Sequence, residues 1–186
     1  HLDTLLMYSD LSNSYLLNNP LLNGCAPMAI LLQIILGVII ANLFEWVVHR
    51  YVLHGLGKKK GSTWSSHWSI HHRTSRQNDH FDKDYLSVFE GGMNEGRQEL
   101  FGLLGLAALQ IPTFFVFPWY AGTTVFMAYV YFLVHRQSHL DPEWGKKWVP
   151  WHYDHHMGTN QDANWGVTLP IWDYILGTRE VGPSRQ

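Results

Sequence analysis

The sequence predicts an all-α, integral membrane protein: one N-terminal span, an apolar helical hairpin, and a cytoplasmic helical cap that holds a dimetal site. Three observations predict it. No charged residue occurs between Asp10 and Glu45. A second uncharged stretch runs from Leu100 to Val134, between Glu99 and Arg136. Ten of the twelve histidines fall in four short windows that follow these apolar stretches or lie in the polar segments after them. A length of 186 residues fits a single domain, read as 1-186, with residues 1-26 as a peripheral N-terminal segment.

Within the first stretch, Pro27 to Phe44 is long enough to cross about 30 Å of hydrocarbon at about 1.5 Å per residue. A secretory signal peptide is the rival, but no basic segment precedes the run and no small-residue cleavage site follows it. His1 in place of Met suggests a trimmed or processed N-terminus. The second stretch is interrupted by Pro112 and by Pro118 to Gly122, where a turn is expected. It fits two helices near the lower limit for a full crossing, and crossing is the preferred reading.

All thirteen Lys and Arg lie at or beyond Arg50, so the positive-inside rule puts Arg50 to Arg97 and the tail from Arg136 on the cytoplasmic side. Lys58, Lys59 and Lys60 read as a juxtamembrane anchor. The charged fraction is 15%, against roughly 25% for ordinary soluble domains, while the mean hydropathy is only −0.12. Apolar spans therefore alternate with polar, histidine-rich segments. A lone Cys25 excludes an intrachain disulfide and a cysteine-based metal site. No nucleic-acid partner is expected.

The four windows are His49 with His54; His67, His71 and His72; His135 with His139; and His152, His155 and His156. On a helix, residues three and four apart share a face, so the second and fourth windows each present their rings together. His135 and His139 stack one turn apart. His49 and His54, five apart, fit one face poorly and suggest a helix end or a bend. All four windows fall at one predicted depth. Ten imidazoles exceed the shell of one ion and suit two, and imidazole binds iron, zinc and copper. His80 reads as an outer-shell or surface residue, with ligation as the lesser alternative.

At these motifs the chain resembles the fatty acid hydroxylase/sterol desaturase superfamily, over roughly Phe44 to Arg179. The closing residues Asn164 to Pro170, Trp172-Asp173 and Leu176-Gly177-Thr178 resemble its end signature. The resemblance implies an all-helical membrane domain whose cap encloses two iron ions, with zinc able to substitute in purified material. It also implies a division of ligands: His54, His67, His71, His135 and His152 on one ion, and His49, His72, His139, His155 and His156 on the other. No fourth span is evident, so part of the usual scaffold is absent or supplied by residues 1-26. These residues show no fused haem domain, so electrons are expected from a separate cytochrome- or ferredoxin-type protein.

The activity implied is O2-dependent hydroxylation of a long-chain lipid or fatty-acyl substrate, with no catalytic residue beyond the metal ligands. Such chemistry needs two electrons that no side chain supplies. Desaturation, carotenoid or sterol oxidation and aldehyde decarbonylation are alternatives of the same chemistry. A zinc-dependent membrane hydrolase needs typically three protein ligands per zinc, which ten histidines over-supply. A non-catalytic metal-binding or transport protein predicts no cavity beside the metals. Carboxylates that could orient ligands are Glu45, Asp79, Asp82, Asp141, Asp154, Asp162 and Asp173, though each alone reads more readily as a surface or capping residue. Asp154 is the one read as orienting a neighbouring ligand. The nine tryptophans read as interface anchors.

Overall fold

The computed structural model describes residues 20–89 and 92–185, with side chains from residue 26. The expected peripheral segment 1-26 therefore lies almost wholly outside the described residues. Among those, all regular structure is helical and no strand occurs.

Helix α1 (Pro20–Val47) starts earlier than the sequence suggests, so Pro27 sits inside it instead of opening it. Its inward face is Gly37, Asn42, Trp46 and, beyond its end, His49; Met28, Leu31, Leu32, Ile35 and Ile39 are exposed. The helix runs without interruption into a π-helix, π1 (Val48–Leu56). This is what the five-residue spacing of His49 and His54 requires. A π-helix hydrogen-bonds residues five apart, so such residues come towards a common face. The N–H of Gly57 donating to the carbonyl of Val52 at 3.1 Å continues that pattern. The expected helix end or bend is instead a widened turn.

A second π-helix, π2 (His67–His72), passes into α2 (Arg73–Gln77) and packs on π1. Helix α3 (Glu95–Leu109) is capped by Asn94, whose side chain accepts from the N–H of Arg97 at 2.9 Å. A single turn, α4 (Ile111–Phe114), follows, and α5 (Pro118–Leu140) then runs on through His135 and His139. The break thus falls at Phe115 to Phe117 and not at Pro118 to Gly122. Proline at the first helical position has no N–H to leave unpaired, so Pro118 starts α5.

Helix α5 is the central element: α1, α3, α4 and α6 (Pro142–Trp148) all pack on it. Its approach to α1 is close at Gly37, where a Cβ would lie 2.8 Å from Thr123 Cβ and 3.2 Å from the Tyr120 carbonyl. Helices α7 (Pro150–Met157) and α8 (Ile171–Ile175) complete the layer over the histidines, α7 against α2 and α6, α8 against α1. Of the described helices, one stretch, Ala26–Leu56, is long and apolar enough to cross a membrane.

Candidate metal centre

The end of α1, the two π-helices, the C-terminal part of α5 and α7 bring all ten motif histidines to one place, each at most 6% exposed. The ring nitrogens form two neighbouring sets. His49, His54, His67, His72 and His155 have ligand atoms within 4.8 Å of one another; so do His71, His135, His139 and His156. His152 joins the second set through its Nε2, 3.2 Å from that of His139. The sets abut where the His72 and His156 rings stack at 4.2 Å.

The spacing of these nitrogens groups the rings otherwise than the division that the resemblance implies. His54 and His67 belong with His49, His72 and His155, while His139 and His156 belong with His71, His135 and His152. The reason is local. On π2, residues five apart (His67 and His72) turn together towards π1, and His71 between them turns towards α5.

The Nε2 atoms of His54, His72 and His155 form a triangle with edges of 3.0, 3.2 and 3.2 Å, and His67 Nε2 lies 3.3 Å from His49 Nε2. With metal–nitrogen bonds of about 2.1 Å, ligand atoms stand about 3.0 Å apart in an octahedron and about 3.4 Å apart in a tetrahedron. Protonation explains the triangle less well. His155 donates its Nδ1–H to the Ala163 carbonyl at 2.6 Å, and His49 donates to the Trp165 carbonyl at 2.7 Å. Their neutral rings therefore present bare lone pairs at Nε2. One shared proton satisfies one edge of the triangle; a central cation satisfies all three. In the second set Nε2 of His71, His135 and His156 is buried without a protein partner. The residues present fit two metal ions.

Outer partners hold the rings. His71 Nδ1 donates to Asp82 at 2.8 Å, His135 Nδ1 to Glu99 at 2.6 Å, and His139 Nδ1 to the His80 carbonyl at 2.8 Å. Such partners fix the tautomer and direct the other nitrogen at the metal. Tyr85 adds its hydroxyl to Glu99 at 2.6 Å. Of the seven carboxylates considered, Asp82 orients a ring, and Asp162 lies 3.5 Å from His54 Nδ1 while pairing with Lys58. Asp141 caps α6. Asp154 does not orient a ligand: it accepts from Arg179 and from the N–H of Ser184. Glu99 escaped sequence reading, although it marks the edge of an uncharged run. Nothing in the sequence pairs it with a histidine 36 positions away.

The closing motif is a clamp on the first set. Asn164 takes a left-handed φ of 59°, and a Cβ on Gly166 would stand 2.4 Å from the Leu169 carbonyl. That tight course aims the Ala163 and Trp165 carbonyls at His155 and His49. Asp173 secures it by accepting from the N–H groups of Trp165 and Gly166, and Glu45 of α1 accepts from those of Val167 and Thr168. Trp165 stands edge-on to His54 at 4.8 Å. Both Trp165 and Trp46 are buried, so these two tryptophans are not interface anchors. A cavity of about 230 Å³ opens beside His54, walled by Arg50, Tyr51, Lys58 and Trp165.

His80 is also buried, which excludes the expected surface placement. Burial holds His67, His72, His80, His152, His155 and His156 below the ordinary histidine value. His71 goes the other way: burial lowers it, but the hydrogen bond and charge of Asp82 outweigh that and raise it. Below about pH 6.5 the unfolded chain takes up protons that the six buried rings refuse, so stability falls as pH falls. Chelator-treated protein should lose thermal stability steeply between about pH 7.5 and about pH 5.5. A flat melting temperature over that window would show that the rings are not buried neutral.

No curated protein and no solved structure gives a significant match to the chain. The family model described as fatty acid hydroxylase matches residues 34–178, which contain all four histidine windows and the closing clamp as far as Thr178. By that match the chain belongs to the fatty acid hydroxylase family, within the fatty acid hydroxylase/sterol desaturase superfamily.

Proposed function

We propose that this protein is a membrane-embedded di-iron oxidoreductase that uses O2 to hydroxylate a long-chain lipid or fatty-acyl substrate. The observation that carries the reading is the convergence of ten buried imidazoles into two abutting sets, with Nε2 atoms 3.0–3.3 Å apart among His54, His72 and His155, between His49 and His67, and between His139 and His152. Family membership supports an oxidoreductase of this class. The ions would be held by His49, His54, His67, His72 and His155, and by His71, His135, His139, His152 and His156. Bound iron would supply the redox chemistry with O2 that no side chain can.

The chain's own residues bind and orient. Asp82, Glu99 and the carbonyls of Ala163, Trp165 and His80 keep each anchored ring in the tautomer with a free Nε2. The closing clamp and α7 shut bulk water out of both sets. Membrane placement is supported by exposed apolar side chains along α1 and along α3 to α5, among them Phe101, Leu104, Phe114, Phe115, Phe126 and Leu133. An exposed apolar surface of that extent is costly in water and favourable in lipid. The α3–α5 hairpin would lie in or across the bilayer, with the metal centre on the cytoplasmic side by the positive-inside rule. Electrons would come from a separate cytochrome- or ferredoxin-type protein.

The test is a single turnover of anaerobically iron-loaded protein with reductant, O2 and a lipid extract, read by product mass. A gain of one oxygen atom is expected. Loss of two hydrogens would make the enzyme a desaturase, and turnover without O2 or reductant would sink the oxygenase reading in favour of a hydrolase.

A further inference from the structure

His80 is left over by the ten-ligand reading, yet it sits against the second set. Its side chain is fully buried, and neither ring nitrogen has a protein partner. Its ligand atom lies within 4.8 Å of those of His139 and His152. The ring stacks on His139 at 4.3 Å and meets His156 at 5.2 Å.

The backbone is bent to bring it there. Asp79 and His80 both take left-handed conformations, with φ of 52° and 77°. Side-chain-bearing residues enter that region at a cost, and the cost is borne only where surrounding structure imposes it. Here the His80 N–H donates to the Ser75 carbonyl at 2.7 Å, and the His80 carbonyl accepts from His139. A ring needed only as filler would be better as phenyl, which packs equally and leaves no buried nitrogen unpaired.

We propose that His80 is an additional ligand of the ion held by His71, His135, His139, His152 and His156. The proposal rests on the dimetal reading above. It makes the centre asymmetric: six imidazoles serve the second ion and five the first. The ion beside the cavity at His54 then has the fewer protein ligands and the more room for a further one.

The test uses the full detergent-solubilised chain and Zn2+ alone, titrated against a competing chelator. His80→Asn tolerates the left-handed backbone; His80→Phe keeps the stacked ring. The wild type should bind two ions. Both variants should weaken one site by at least about 10-fold, the lower bound for loss of even an outer partner, and leave the other unchanged. Two sites of unchanged affinity in a folded variant would overturn the proposal and leave the dimetal reading intact. Fewer than two Zn2+ ions in the wild type would overturn both.

Discussion

Replacing His67 and His135 together by alanine should remove both metal ions and abolish turnover, while either single replacement removes one ion. His67 Nε2 faces His49 Nε2 at 3.3 Å within the first set, and His135 belongs to the second with His71, His139 and His156. Each ring is buried, so its loss opens a gap among the neighbouring ring nitrogens. Metal-to-protein ratio and product formation are the measurements. The division implied by resemblance puts His67 and His135 on the same ion. It therefore predicts that the double variant retains one ion, and that result would refute the grouping found here. Activity should fall below detection in all three variants, because both ions take part in the proposed chemistry.

The second large effect is expected at a residue that is not itself a ligand, Asp173. Its carboxylate is fully buried and accepts from Trp46 Nε1 at 3.2 Å, the N–H groups of Trp165 and Gly166 at 2.8 and 2.7 Å, and Thr178 Oγ1 at 2.7 Å. Asp173→Ala leaves the N–H groups of Trp165 and Gly166 and the Thr178 hydroxyl without this acceptor, each costing about 1–3 kcal/mol when buried, while Trp46 Nε1 keeps Thr178 Oγ1 at 3.2 Å. The effects are not additive, so a loss on the order of 4 kcal/mol is expected, a large share of the roughly 5–15 kcal/mol that holds a domain together. The clamp also aims the carbonyls that orient His49 and His155, so metal content of the first set should fall with stability. Asp173→Asn keeps the volume and one acceptor and should fall between. Thermal unfolding in detergent and metal analysis check both; a wild-type melting temperature for Asp173→Ala would refute the clamp.

Much of the centre was legible because the motif residues carry their chemistry in their names. Four histidine windows beside two uncharged stretches pointed to paired ions, and all ten rings meet. The closing residues were recognisable as a signature, but their work was not. Ala163 and Trp165 contribute backbone carbonyls, and a carbonyl has no sequence mark. Glu99 and Tyr85 were invisible for another reason: their partner His135 comes from a different helix. For His80 the spacing left outer-shell and surface placement open, and burial on a left-handed backbone excludes the surface.

The sequence by itself determined helical class, the long apolar segment, and a supply of imidazoles sufficient for two ions, because each depends on local spacing or composition. Only the tertiary structure decided which rings lie together. The choice between α and π turns at His49–His54 and His67–His72 swings neighbouring side chains to different partners, and that choice is made by packing against α5, α7 and the closing clamp.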